Sequence, residues 1–157
     1  MSEERLTHLN ERGEANMVDV SSREVTTRSA TASGKVKLSS EVLNAIANNQ
    51  TPKGDVLATA RIAGIMGAKK TSELIPLCHP IAIHKVEVEL KIESDGVAIT
   101  SIVKTNDRTG VEMEALTAVS LAGLTLIDMI KALDPSASIT NIQVESKSGG
   151  KNGEWQR

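Results

Sequence analysis

Asp128 and Lys131 stand three residues apart near the end of one of the most apolar stretches of the chain, residues 111–133. At that spacing two side chains share a helix face and can form an ion pair. Charges in an apolar helix are costly unless they are paired or put to chemical use. Two readings are open: a structural ion pair, or an acid–base pair at the mouth of a site. Glu114 falls on nearly the same face, fourteen residues earlier. At about 1.5 Å of rise per residue the two carboxylates would lie roughly 21 Å apart, too far for one small reacting centre. A site using both would take them from two copies of the helix across a two-fold interface.

Cys78-His79 sits in a loop stiffened by Pro76 and Pro80. A Cys–His nucleophile pair is one reading, although adjacent residues rarely point at each other. A zinc site is a second, and it would need more ligands than Cys78, His79 and His84 supply. A loop that is structural, or that touches a ligand through its backbone and His79, is the third. Further on, Lys147-Ser148-Gly149-Gly150-Lys151-Asn152-Gly153 combines two cations with backbone N–H groups that glycines can expose. That suits a phosphate cradle, and equally a flexible C-terminus. It is no Walker A loop, because too few residues come after it to form the closing helix. Lys53-Gly54-Asp55 opens a helix, where an anion is favoured, with Arg28 and Lys69 as further cations. Each of these, taken singly, also reads as solvated surface charge.

The elements that must position these residues follow from periodicity. Val18 to Leu38 is rich in Val, Thr and Ser and reads as an extended strand. Ser39-Ser40-Glu41 caps a short helix through Ala47. A second helix runs from Gly54-Asp55 to about Lys70, with Ala60, Ala63, Gly64 and Gly67 leaving room for another backbone. His84 to Ile92 alternates, with Val86, Val88 and Leu90 on one face, and turns at Ser94-Asp95-Gly96 into Val97–Val103. Residues 111–133 form a helix apolar on nearly every face, which implies burial on all sides. Ala137 to Ser146 is a last strand. The order predicts an α+β fold: a ferredoxin-like sandwich, an antiparallel sheet with helices packed on one face. Residues 1–16 read as a mobile tail and 17–157 as a single catalytic domain.

Composition narrows the function classes. The 157 residues include no Phe, no Tyr and one Trp, Trp155, so the core must use Ala, Val, Ile, Leu and Met. Few aromatic platforms and a net charge of −2 argue against nucleic acid or a membrane surface as partner. A polyanion would have to bind a local cluster of Lys and Arg. The lone Cys78 cannot close an internal disulfide, the N-terminus carries no apolar signal region, and no run approaches the ~18 apolar residues of a membrane span. The expectation is a cytoplasmic protein without metal or cofactor.

Taken together, Met17-Val18-Asp19-Val20-Ser21, Lys53-Gly54-Asp55-Val56, Ala60-Arg61-Ile62-Ala63-Gly64-Ile65, Leu74-Ile75-Pro76-Leu77-Cys78-His79-Pro80, Thr109-Gly110-Val111-Glu112-Met113-Glu114-Ala115-Leu116 and Glu145-Ser146-Lys147-Ser148-Gly149-Gly150-Lys151 closely resemble the cyclic pyranopterin monophosphate synthases, the MoaC family of molybdenum cofactor biosynthesis. The resemblance runs from about Leu6 to Trp155. It implies rearrangement of a 3′,8-cyclised dihydro-GTP to cyclic pyranopterin monophosphate with release of pyrophosphate. It places Asp128 and Lys131 on the family's acid–base positions, and Leu77, Cys78, His79, Met113 and Glu114 in its substrate-contacting segments. Arg28, Lys53 and Lys147 match basic positions associated with the site. The resemblance also implies a homohexamer, a trimer of dimers with pockets between subunits. The chain departs from the family at Asp107-Arg108, where Gly-Lys is frequent, and at Trp155, where Phe is more usual. Two rival classes are a nucleotide-binding regulatory module and a hydrolase acting through Cys78.

Overall fold

The structure is a computed structural model that describes residues 8–151 and 153–157. Its central strand, β1 (Thr26–Lys37), buries Ala30, Ala32 and Val36 and turns Ser29, Thr31, Ser33 and Lys35 to the opposite face. Helix α1 (Ser40–Ala47) begins where Ser39 accepts a hydrogen bond from the Val42 N–H. Helix α2 (Val56–Lys69) is capped by Asp55, which accepts from the Ala58 N–H at 2.9 Å. One further turn, α3 (Thr71–Leu74), comes after it. Strands β2 (Ile83–Glu93) and β3 (Gly96–Asp107) form the expected hairpin. Helix α4 (Glu112–Ile130), strand β4 (Ser138–Ser148) and a short edge strand β5 (Trp155–Gln156) complete the chain.

The five strands lie in the order β2-β3-β1-β4-β5, every pair antiparallel. β3 is inserted between β1 and β2, and β1 between β3 and β4. Two split β-α-β units therefore interlock, which is the ferredoxin-like α+β arrangement expected from the element order. α4 packs on β1, β3 and β4, and α2 lies beside it and reaches β2. Small side chains permit this. Ala30, Ala32 and Gly34 lie on the β1 surface beneath α4, where a Cβ on Gly34 would collide with Val119. The core is aliphatic, with Ile99, Leu126, Ile130, Val36 and Val103 fully enclosed. Ser101, also enclosed, donates from its hydroxyl to the Ala115 carbonyl at 2.7 Å and ties β3 to α4.

Four expectations need correction. β1 starts at Thr26, not Val18, because the polar residues of 18–25 make turns instead: Asp19 Oδ1 accepts from Ser21 N at 2.8 Å, and Arg23 N donates to Val20 O at 3.0 Å. α4 stops at Ile130, and the N–H groups of Leu133 and Asp134 close a tight turn onto the Ile130 carbonyl before Pro135. α4 is also not enclosed on all sides within one chain: Met113, Leu124 and Asp128 form an exposed stripe. Finally, α4 does have the length and apolarity of a membrane span, contrary to the expectation that no run approaches it, yet it is a core helix packed on a sheet. Of the N-terminal tail, residues 1–7 lie outside the described residues. Just beyond them Asn10 organises a tight loop, its side chain accepting from Arg12 N and Glu14 N.

The closest helix contact is at two of the small residues singled out in α2. A Cβ on Gly64 would lie 2.8 Å from the Ala118 carbonyl oxygen, and one on Gly67 would lie 2.9 Å from Leu121. A backbone oxygen in α4 cannot swing aside as a flexible side chain does. Gly64→Val should therefore destabilise the fold by about 2–3 kcal/mol through overpacking, read as a lowered urea midpoint with an unchanged slope. A midpoint within error of the parent would show that the helices are free to separate.

Candidate functional site

The first turn of α4 presents Glu112, Met113 and Glu114 at a cavity of about 290 Å³. Its walls include Val18, Val20, Leu77, Cys78 and His79. Glu114 is only 4% exposed, and burial raises its carboxyl to about 7, with Glu112 adding to the effect and its own N–H opposing it. Neutral and charged forms of Glu114 are thus both accessible near pH 7. Burial also pushes the Cys78 thiol above its ordinary range, helped by Glu114, so the thiolate a nucleophile requires is disfavoured. His79 does not pair with Cys78. Its Nε2 lies 2.7 Å from the Val18 carbonyl, and since a carbonyl only accepts, Nε2 carries the proton. Among the described residues, no three or more metal-ligating side chains of the His, Cys, Asp or Glu type come together.

A second cavity, about 710 Å³ in volume, adjoins the first. Arg23, Gly110 and Glu112 line both. Its cations are Arg23, Arg28, Lys147 and Lys151. β1 and β4 bring two of them together, since Lys147 pairs with Ala30, two residues from Arg28. The turn after β4 is made by Gly149 and Gly150, both at positive φ (90° and 77°), and a Cβ on Gly149 would strike the Thr27 carbonyl. Lys147 Nζ lies 2.9 Å from Glu112 Oε1, and the Arg28 Nε donates to the Asp107 carbonyl at 3.0 Å. Thr26 Oγ1, in the cavity lining, is buried and has no hydrogen-bond partner among the described residues. The cavity gathers cationic donors of the kind that pair with phosphate oxygens.

The remaining candidates meet at the other end of α4. Asp128 accepts from Lys131 Nζ at 2.8 Å and from Lys53 Nζ at 3.0 Å, and Lys53 also reaches the Asp128 carbonyl at 2.9 Å. Hydrogen bonds from Lys131, then Lys53, hold the Asp128 carboxyl down at about 2. The cluster is open: the Asp128 and Lys131 side chains are 57% and 62% exposed. Burial of Lys131 beside other cations, which could suit it to act as an acid, is not provided within one chain.

One chain therefore brings Leu77, Cys78, His79, Met113 and Glu114 into one cavity and Arg28 and Lys147 into the next. It sets Asp128, Lys131 and Lys53 apart, near the far end of the same helix. Lys69 lines neither cavity. Sequence reasoning missed Arg23 as a cavity cation, whereas Lys151 belongs to the Gly-rich segment already read as a phosphate cradle. Arg23 was hidden by the misread strand, although the Asp19-x-Ser21 turn signal preceding it was available.

Comparison with known proteins places these segments in context. The MoaC family matches residues 17–150. A cyclic pyranopterin monophosphate synthase from Streptomyces griseus is 62% identical over 156 residues, covering 99% of this chain and 88% of the relative. One from Nocardioides is 57% identical over 159 residues, covering 99% and 98%. The cyclic pyranopterin monophosphate synthase 2 of Mycobacterium tuberculosis is 53% identical over 152 residues, covering 97% and 91%.

The environment of Glu114 has a measurable consequence. The folded chain keeps this proton up to about pH 7, whereas its ordinary value is 4.5. Between the two the native state binds more protons, so the stability this group contributes is whole below the lower value and is lost as pH rises through the higher. Glu114→Gln removes the dependence. Urea midpoints of parent and variant should diverge in the variant's favour from about pH 5 to about pH 8. A constant difference across that range would place Glu114 among ordinary carboxylates.

Proposed function

The chain belongs to the MoaC family, and from this we propose that it converts 3′,8-cyclo-7,8-dihydroguanosine 5′-triphosphate to cyclic pyranopterin monophosphate with release of pyrophosphate. Its relatives make it an enzyme of the cyclic pyranopterin monophosphate synthase type, acting in molybdenum cofactor biosynthesis. The observation that carries the finer reading is the junction of the two cavities at Arg23, Gly110 and Glu112. The basic cavity suits the triphosphate. The smaller one, with apolar walls and a buried carboxyl, suits a fused nitrogen heterocycle whose N–H edge Glu114 can read.

The chemistry needs a hydroxyl to attack the inner phosphorus while a phosphoanhydride bond breaks and pyrophosphate leaves. Lys147 and Arg28 stabilise the departing anion. Ring opening and re-closure need proton transfers, and Asp128 as base and Lys131 as acid fill those roles. Asp128 is ionised at neutral pH but is a weak base while two ammonium groups hold it. A polyanionic substrate competes for Lys53 and Lys131, which would restore its basicity. This requires Asp128 from one subunit to face Glu114 of another. A homohexamer built as a trimer of dimers, with pockets between subunits, meets the requirement. The exposed Leu124, one turn before Asp128, and Ile62 and Met66 on α2 offer apolar surface for such contacts. Residues 17–157 act as the catalytic unit, in the cytoplasm.

Incubation with the cyclised precursor, followed by mass spectrometry, should give pyrophosphate and the cyclic product in equal amounts. Asp128→Asn and Lys131→Ala should each abolish turnover without preventing assembly; near-normal turnover in either removes the acid–base assignment. The shared site is tested by mixing. Glu114→Ala and Asp128→Ala chains, each inactive alone, should regain activity when co-assembled, because some pockets then combine wild-type Glu114 with wild-type Asp128. Proven subunit exchange with no recovered activity would place both residues in a single-chain site.

A further inference from the structure

The departure at Asp107-Arg108 acquires a role from its surroundings. Both residues hold an arginine of the basic cavity. The Asp107 carbonyl accepts from Arg28 Nε at 3.0 Å, and Arg108 Nε donates to the Arg23 carbonyl at 3.0 Å. Asp107 also braces its neighbour, its Oδ1 accepting from Arg108 N at 2.6 Å. Position 107 is itself fixed, because it ends β3 opposite Thr26 at the start of β1.

Arg23 belongs to the irregular segment 17–25, which lines the smaller cavity through Val18, Val20 and Arg23 and the larger through Arg23 and Glu24. Two side chains from elsewhere pin this strap by its carbonyls, His79 at Val18 and Arg108 at Arg23. Between the pins, Arg23 N closes a turn on Val20 O. Arg23 is thus the one cation that lines both cavities among the described residues. Its side chain forms no hydrogen bond or ion pair with any of them, whereas Lys147 is engaged by Glu112 and Arg28 by Asp107.

We propose that Arg23 is a phosphate-binding residue at the junction of the two cavities and that Arg108 is the positioning residue that holds it there through its backbone carbonyl. The proposal rests on the polyphosphate reading of the larger cavity. A free guanidinium is suited to a phosphate oxygen by its planar array of donors. The carbonyl bond from Arg108 uses one N–H of a cation rather than the two-pronged fork, so a lysine at position 108 can replace it.

The test measures binding of inorganic tripolyphosphate to the full chain by titration calorimetry, which needs no turnover. Arg23→Gln should weaken binding about tenfold, the loss of one charged hydrogen bond. Arg108→Gln should weaken it several-fold, Arg108→Lys should recover most of that loss, and Arg23→Gln/Arg108→Gln should bind no more weakly than Arg23→Gln alone. Lys104→Gln, which removes an exposed charge on β3, serves as the control for net charge. Additive losses in the double variant would make Arg108 an independent contact and overturn its positioning role. Unchanged affinity in Arg23→Gln alongside a clear loss in Lys147→Ala would overturn the proposal and leave the polyphosphate reading intact. A parent chain that does not bind tripolyphosphate would remove both. Unaltered thermal unfolding of each variant shows that the losses are local.

Discussion

The contact between α2 and α4 governs the placement of nearly every candidate residue. Gly64 and Gly67 bring the two helices together, backbone against backbone, at Thr117, Ala118 and Leu121. The pair is antiparallel, and its ends define two clusters. The segment entering α2 delivers Lys53 to Asp128 at the end of α4, and the loop leaving α2 delivers Cys78 and His79 to Glu114 at its beginning. A rigid α4 then keeps these clusters about a helix length apart, since a packed helix cannot shorten. The separation of the two clusters within one chain is the geometric result of this one close approach.

The two clusters use opposite electrostatics. Glu114 is buried and keeps its proton to about 7; Asp128 stands in the open between two ammonium groups and loses its proton at about 2. Burial and charge pairing push two carboxyls of one helix in opposite directions, which is how a fold assigns different tasks to the same functional group. The basic cavity lies directly beside the buried carboxyl, sharing Arg23, Gly110 and Glu112 with its pocket.

Periodicity made much of this legible. The β2–β3 hairpin, the Ser39 and Asp55 caps and the small residues of α2 all follow from local chemistry that tertiary packing reinforces. The failures also have local causes. The run from Val18 to Val25 has the composition of a strand, but Asp19 and Ser21 bond within the segment and turn it into a strap. α4 reads as enclosed because its residues are apolar on almost every side; one chain covers only the face toward the sheet and α2. The turn signal before Arg23 marked a loop but not its role, which depends on β1 and α4 converging seventy or more residues apart in the chain. Neither the one-turn α3 nor the two-residue β5 is long enough to leave a periodic signal.

The edge strand β5 has one further property. Trp155 pairs with Lys147 across the β4–β5 ladder, stands 41% exposed, and carries the Arg157 guanidinium 5.5 Å from the centre of its ring. With no Tyr or Phe in the chain, this indole accounts for all of its aromatic side-chain absorption and emission. Every photon the side chains emit therefore originates beside Lys147, which also lines the basic cavity, so the chain carries a built-in optical probe at that cavity's border.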